Sequence, residues 1–329
     1  MTIAPITVIV APALPSPARV RPSERAPLRV GAVQMAWTPD HDAHVGALSE
    51  SVGRAAEAGA RLVCLPELTL SPYFAASPIG AGAVPVHPES VDTGPTRVFA
   101  TQAAGRHGVY VHASLWEADA AIAPMGWNTA ICVAPDATLV AHTRKLHIPV
   151  TAGYWEDRYF VPGDTAYPVR SMLGASIGYP TCWDQWFPEV ARLYSLAGAE
   201  VLVYPSAIGS EPDHPQFDTQ PLWRQVIVGN GIANATFMIA VNRIGTEHVA
   251  GAPAITFYGS SFMSDPYGRV LVEAPRDRPA VIVADLDLDQ RRDWLELFPF
   301  LRTRRPDTYG GLVENETGNR LHPTPGTQR

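Results

Sequence analysis

No run of about eighteen uninterrupted apolar residues occurs in the 329-residue sequence, so no membrane-spanning helix is expected. Clustered positive charge is equally scarce. The net charge is −7 and the densest basic stretch is "RTRRP" at 302–306, which leaves no stripe for a phosphate backbone and sets nucleic acid aside as a partner. Cysteine is limited to Cys64, Cys132 and Cys182, an odd number in no paired spacing, which excludes a disulfide framework and fits a reducing, cytoplasmic compartment. H-E-x-x-H, C-x-x-C and Gly-rich phosphate loops are missing, so neither a metal nor a cofactor is expected. His41 and His44 in "HDAHVG" read as two solvated histidines at a helix start. With 46% hydrophobic residues and only 17% charged ones, the chain is suited to one substantial core, which favours a globule acting on a small molecule.

From Leu28 the pattern becomes regular. "LRVGAVQM" predicts a strand, "HVGALSESVGRAAEAGA" an amphipathic helix and "RLVCLPE" a buried strand stopped by Pro66, which together make a β-α-β unit. Helix-then-strand patterns recur in "PTRVFATQAAGRHG" with "VYVHASLW", "PEVARLYSLAGAE" with "VLVYPS", and "PLWRQVIVGNGIANA" with "TFMIAVNR". Between them "NTAICVAPDATLVAHTRK" and "SSFMSDPYGRVLVEAP" predict hairpins, their turns marked by Pro, Asp and Gly. Parallel units alternating with hairpins indicate an α/β fold with mixed sheets. The expected organisation is a Pro-rich N-terminal extension over 1–27, a single domain over 28–309 and a polar, loosely held tail over 310–329. The extension opens on apolar residues, but no basic residue precedes them and prolines interrupt them, so neither a signal peptide nor a membrane span is expected there.

Three apolar strands end on groups that carry chemistry: "CLPEL" on Glu67, "HTRKLHIP" on Lys145 and "GYPTCWDQW" on Cys182. Catalytic groups in α/β proteins gather at strand ends. A single charged residue there is usually just the first solvated one after the core, whereas the three together form a chemical set. A carboxylate takes the thiol proton, and an ammonium favours the thiolate and stabilises an oxyanion. Cys64 and Cys132 have apolar neighbours on both sides and read as core-strand residues. Trp183, Trp186 and Phe187 follow Cys182 directly, as walls of an acyl pocket or as core packing. Ser176 in "GASIG" matches G-x-S-x-G, but the apolar run continues past it without the turn and helix a serine nucleophile needs.

"LPELTLSPYF", "RKLHIP", "GYWEDRYFVPGD", "CWDQWFPEVARLYSLAGAEVLVYPSAIGSEP", "VNRIG" and "ITFYGSSF" resemble, in order and spacing, the nitrilase superfamily of carbon–nitrogen hydrolases. The likeness runs from Leu28 to Tyr309 and is nearest to the N-carbamoylputrescine amidase and β-ureidopropionase branch. It implies an α-β-β-α four-layer sandwich that dimerises, or assembles further, through its helices. It also implies a Glu67 general base, a Lys145 oxyanion cation and a Cys182 nucleophile. Glu156, eleven residues beyond Lys145, would orient the lysine, and the Trp183 amide would complete the oxyanion hole. Tyr179, Pro180 and Thr181 depart from the small aliphatics usual before the nucleophile, which predicts a kinked approach to Cys182.

The expected activity is hydrolysis of the terminal carbamoyl group of a small N-carbamoyl amine, N-carbamoylputrescine first among them, through a thioester. N-carbamoyl-β-alanine and other carbamoyl amino acids, simple amides and nitriles are alternatives. A Ser176-dependent hydrolase, an acyltransferase and a non-catalytic binding protein stand behind these. Tyr73, Trp186, Ser206, Glu211 and Arg243 are candidates for substrate contact. The loop with Glu211, Asp213 and Asp218 would favour a cationic tail, whereas Arg243 would clamp a substrate carboxylate.

Overall fold

The computed structural model describes residues 6–313. Period-two alternation sorts its strands into faces. In β2 (Leu28–Gln34) the side chains of Leu28, Val30 and Ala32 point into one core and Val33 into another, and Leu62 and Cys64 of β3 (Leu62–Cys64) oppose Val63 in the same way. β1 (Thr7–Ala11) precedes them, and β4 (Tyr110–Ala118), β5 (Gly126–Val133) and β6 (Leu139–Arg144) follow. A short hairpin of β7 (Val150–Thr151) and β8 (Tyr154–Trp155) leads to the second half of the chain. There β9 (Val169–Met172), β10 (Ala175–Gly178), β11 (Val201–Pro205) and β12 (Phe237–Val241) are followed by a ribbon of β13 (Ile244–Glu247) and β14 (Ile255–Tyr258). β15 (Phe262–Ser264), β16 (Val270–Glu273) and β17 (Ala280–Leu286) complete the strands.

One sheet has seven strands in the order β1-β17-β2-β3-β4-β5-β6, the other six in the order β16-β15-β12-β11-β10-β9. Both are mixed, as the sequence predicts. β2, β3 and β4 are parallel, as are β10, β11 and β12, while β4-β5-β6 and β12-β15-β16 are antiparallel. The inner faces meet in an apolar layer containing Val30, Cys64, Cys132, Ile177, Val203 and Ile239. The outer face of the first sheet is covered by α1 (His41–Glu57) and α2 (Pro95–His107), that of the second by α3 (Pro188–Leu196) and α4 (Gln220–Asn234), giving the α-β-β-α sandwich. Asp40 caps α1 by accepting from Ala43 N at 3.0 Å, and Gly108 ends α2 at φ 66°, where a side chain would be strained.

Two local expectations change. His41 is exposed, but His44 is buried, one turn further on, with Nε2 3.0 Å from Thr69 O, so only the first histidine is solvated. The N-terminal extension is not separate from the sheet: Thr7–Ala11 pairs in parallel with Ala280–Ala284 of β17. The following segment is strapped to α5 (Asp289–Leu297) and its approach, through Arg19 to Asp287 at 2.7 Å and to Asp293 at 2.8 Å, and Arg25 to Asp289 at 2.8 Å. Prolines flank these five residues without interrupting them, and an edge strand tolerates such neighbours. The polar tail expected over 310–329 lies outside the described residues from position 314 onward. No described helix is long and apolar enough to cross a membrane.

Candidate active site

β3 and β4 run parallel, and β5 reverses between β4 and β6, so β3 and β6 finish at the same end of their sheet. Glu67 lies three residues beyond β3 and Lys145 directly beyond β6, which converge there. Lys145 Nζ donates to Glu67 Oε1 at 2.9 Å and to Glu156 Oε2 at 2.7 Å. All three side chains are buried. Burial alone would strip the ammonium of its proton, but Glu156 and Glu67 hold Lys145 above the usual lysine range. Burial pushes the Glu156 carboxyl up to about 7, with Lys145 opposing the rise and Glu67 adding to it. An ammonium has three donors and two are used, so the third remains for another acceptor.

The other sheet supplies Cys182. β10 stops at Gly178, three residues turn the chain, and a 3-10 helix, Cys182–Trp186, begins at the cysteine itself. Cys182 has φ 39°, a left-handed conformation that costs a residue with a Cβ roughly 1–2 kcal/mol. Asp184 holds this turn in place. Its carboxylate accepts from Thr181 N at 3.1 Å, from His147 N at 3.0 Å and from His147 Nδ1 at 2.8 Å, tying the segment after Lys145 to the turn that bears the cysteine. Burial raises the Cys182 thiol well above its ordinary range; Glu67 adds to this, whereas Lys145 and the backbone of Ala207 favour the thiolate. The resting group is therefore a thiol whose ionisation depends on its neighbours.

Pro180 does not disturb the sheet, because the β10 ladder ends before it and its missing amide would have had no strand partner. Tyr179 turns into the core, where its ring stacks on His112 with centroids 5.2 Å apart. Ser176 sits inside β10, paired with Ser171 across an antiparallel ladder, with no turn or helix opening at it. The strand, sharp turn and helix occur at Cys182 instead.

A cavity of about 300 Å³ opens onto the sulfur, lined by Glu156, Cys182, Trp183, Trp186, Tyr154, Ile208, Glu211, Thr219 and Leu222, with Pro149 and Thr151 at one side. Glu156 and Glu211 are its ionisable carboxylates, and no Lys or Arg among the described residues lines it. Glu211 accepts from Thr219 Oγ1 at 3.3 Å, and burial raises its carboxyl pKa. Asp213 is exposed, and Asp218 is exposed and paired with Arg276 at 2.8 Å, so only Glu211 of the acidic loop reaches the cavity. Tyr73 is behind the wall, donating from its hydroxyl to Glu156 Oε1 at 2.8 Å. Ser206 is buried away from the cavity, with Oγ 3.4 Å from Tyr204 O.

Arg243 is not a substrate clamp. Its guanidinium is buried and committed to Glu247 Oε1 at 2.6 Å and to the carbonyls of Glu67 at 2.6 Å, Leu68 at 3.0 Å and Ser71 at 3.2 Å. It braces the turn after Glu67, in which Leu68 has φ 50°. Sequence reasoning shows that an arginine fork suits carboxylates but not whether the fork is already occupied. Asn128 and Asp184 were not among the sequence candidates. Asn128 Nδ2 donates to Glu67 Oε1 at 2.7 Å. An amide side chain within the largely apolar "NTAICV" strand was the available signal.

Residues 29–296 match the family described as carbon-nitrogen hydrolase. The N-carbamoylputrescine amidase of Arabidopsis thaliana is 38% identical over 289 residues, covering 86% of this chain and 94% of that protein. The citrullinase of Francisella tularensis is 34% identical, over 88% of this chain and 99% of its own length. Among solved structures, the carbon-nitrogen hydrolase from Helicobacter pylori G27 superposes with a TM-score of 0.74 at 31% identity, covering 88% of this chain and 99% of that one.

Proposed function

The chain belongs to the carbon–nitrogen hydrolases of the nitrilase superfamily, and from that membership we propose that it hydrolyses the terminal carbamoyl group of a small N-carbamoyl amine with a cationic tail, N-carbamoylputrescine being the best fit. The observation that carries this reading is the cavity wall: the sulfur of Cys182 at one place, Glu211 at another, and no Lys or Arg to receive a carboxylate. With Arg243 occupied elsewhere, N-carbamoyl-β-alanine meets no cationic side chain for its anionic end among the described lining residues. Citrulline, the substrate named for the Francisella relative, would place its ammonium by Glu211 but leave its carboxylate unpaired.

In this reading Glu67 takes the Cys182 proton as sulfur attacks the carbamoyl carbon. The free N–H of Lys145 and the Trp183 backbone amide, one of the first-turn donors of its 3-10 helix, hold the oxyanion. Glu156 and Tyr73 fix the lysine in place. The C–N bond to the terminal nitrogen breaks, Glu67 returns the proton, and ammonia leaves a carbamoyl thioester. Water, deprotonated by Glu67, then releases the thiol and a carbamate, which loses carbon dioxide to give the amine. Each step uses side chains and backbone of this chain and water. Trp183 and Trp186 exclude bulk solvent and strengthen the local charges.

Three unpaired, buried cysteines support a cytoplasmic setting. Exposed Leu193 and Leu196 on α3 support a homodimer formed through the helical layer, with residues 28–309 as the catalytic domain. A comparison of kcat/KM across N-carbamoylputrescine, citrulline, N-carbamoyl-β-alanine and simple aliphatic amides tests the substrate assignment. Preference for the first supports it; preference for an acidic substrate, or activity on unsubstituted amides alone, overturns it.

A further inference from the structure

Glu67 is gripped on one side only. Oε1 accepts both Lys145 Nζ at 2.9 Å and Asn128 Nδ2 at 2.7 Å, whereas the equally buried Oε2 has no hydrogen-bond partner among the described residues. Asn128 lies within β5, opposite Trp116 of β4, and is 1% exposed. Its backbone carbonyl also accepts from Lys145 N at 2.8 Å, so the same residue fixes the start of the lysine and the end of the glutamate. Nδ2 faces Glu156 Oε2 as well, at 3.4 Å, while Oδ1 lies 3.5 Å from Ser114 Oγ. Charge enforces this orientation: turning the amide over would set its carbonyl oxygen against two carboxylates.

An ammonium is a compact point charge without the two-pronged geometry of a guanidinium, so Lys145 alone does not fix the plane of the Glu67 carboxylate. Without the second donor on Oε1, the Glu67 carboxylate is free to rotate about its last torsion, and its bare oxygen loses a fixed direction. We propose that Asn128 is the positioning residue that selects the basic oxygen of Glu67, pinning Oε1 so that Oε2 stays bare to take the Cys182 proton. This inference rests on Glu67 being the base, as set out above. Asn128 does not line the cavity and acts only through Glu67 and Lys145.

The test measures kcat, KM and their pH dependence for the full-length wild type, Asn128→Ala, Asn128→Ser and Glu67→Gln, together with the rate at which iodoacetamide alkylates Cys182 and the melting temperature of each. Asn128→Ala is expected to lower kcat about 10- to 100-fold with KM changed by less than about threefold, the scale of a mispositioned proton acceptor. Losing a donor to the charged carboxylate also moves the acid limb of kcat/KM, and of alkylation, to higher pH. Asn128→Ser, which keeps a hydroxyl donor on a short side chain, falls between Ala and wild type and supplies the same readout if Asn128→Ala does not fold. A loss of rate that only tracks the folded fraction, with both acid limbs unmoved, overturns the inference. Glu67→Gln separates the two readings. If it keeps wild-type turnover, the base assignment itself falls; if it is inactive while both Asn128 variants retain rate and acid limb, only the role of Asn128 falls.

Discussion

Lys145 Nζ lies 2.9 Å from Glu67 Oε1, and neither side chain reaches solvent. Breaking a buried pair leaves the other charge uncompensated, at a cost of about 3–5 kcal/mol. Lys145→Ala should therefore lower both the melting temperature and kcat, the latter at least about a hundredfold if the ammonium also serves the oxyanion. Chemical denaturation beside steady-state kinetics checks this. A variant with normal kcat and raised KM would recast Lys145 as a substrate anchor.

Cys182 and Ser176 present contrasting backbone settings, a left-handed turn before a helix and the middle of a ladder. Cys182→Ala is expected to abolish turnover and Ser176→Ala to leave it nearly intact. Intact-mass analysis of quenched enzyme should find the substrate-derived adduct on Cys182. The opposite mutant pattern would defeat the thiol mechanism.

Glu211 is the loop carboxylate that reaches the cavity. A hydrogen bond to a charged group contributes about 1.5–3 kcal/mol. Glu211→Gln should accordingly raise KM for N-carbamoylputrescine about 10- to 100-fold while leaving kcat and activity on neutral amides comparatively unaffected. An equal loss on charged and neutral substrates would show that Glu211 shapes the loop and does not read the tail.

Arg243 holds three carbonyls of the turn after Glu67. Arg243→Met should destabilise the fold by about 3–5 kcal/mol, since Glu247 loses its buried partner. The order of preference among carbamoyl substrates should stay unchanged. A selective loss of activity on acidic substrates would restore the clamp.

His112 is buried with neither ring nitrogen partnered among the described residues, and burial lowers its pKa to about 3. The unfolded chain takes up this proton near the ordinary histidine value, about 6.5, and the folded chain does not. The neutral ring therefore contributes stability fully above that value, and about 1.4 kcal/mol of it is lost per pH unit as pH falls from there toward the folded pKa. Urea midpoints measured across this window should fall less steeply for His112→Phe than for wild type. Identical slopes would show that other groups govern acid sensitivity.

Strand ends made Glu67, Lys145 and Cys182 visible in the sequence, because an ionisable or nucleophilic residue closing an apolar run is a local signal. The helices α1 to α4 and the two main hairpins were visible for the same reason, through periodicity and turn residues. Asn128 was hidden because its partners are 61 residues upstream and 28 downstream, and nothing in "NTAICV" indicates that two carboxylates face it. Arg243 was misread because its competitors are backbone carbonyls, which every sequence contains. β1 was missed because five residues between prolines look like a tether until their partner strand is known.

That partner strand lies far along the chain from β1. Thr7–Ala11 is made long before Ala280–Ala284, with which it pairs, and Arg19 and Arg25 behind it wait for Asp287, Asp289 and Asp293. Until β17 follows, Thr7–Ala11 lacks its strand partner, and of the carboxylates that hold Arg25 only Glu200 has been made, while the inner β-α-β units assemble. Two segments far apart in sequence close on each other, and a translation product that stops short of β17 lacks the strand and the aspartates that hold Thr7–Ala11 and the segment after it.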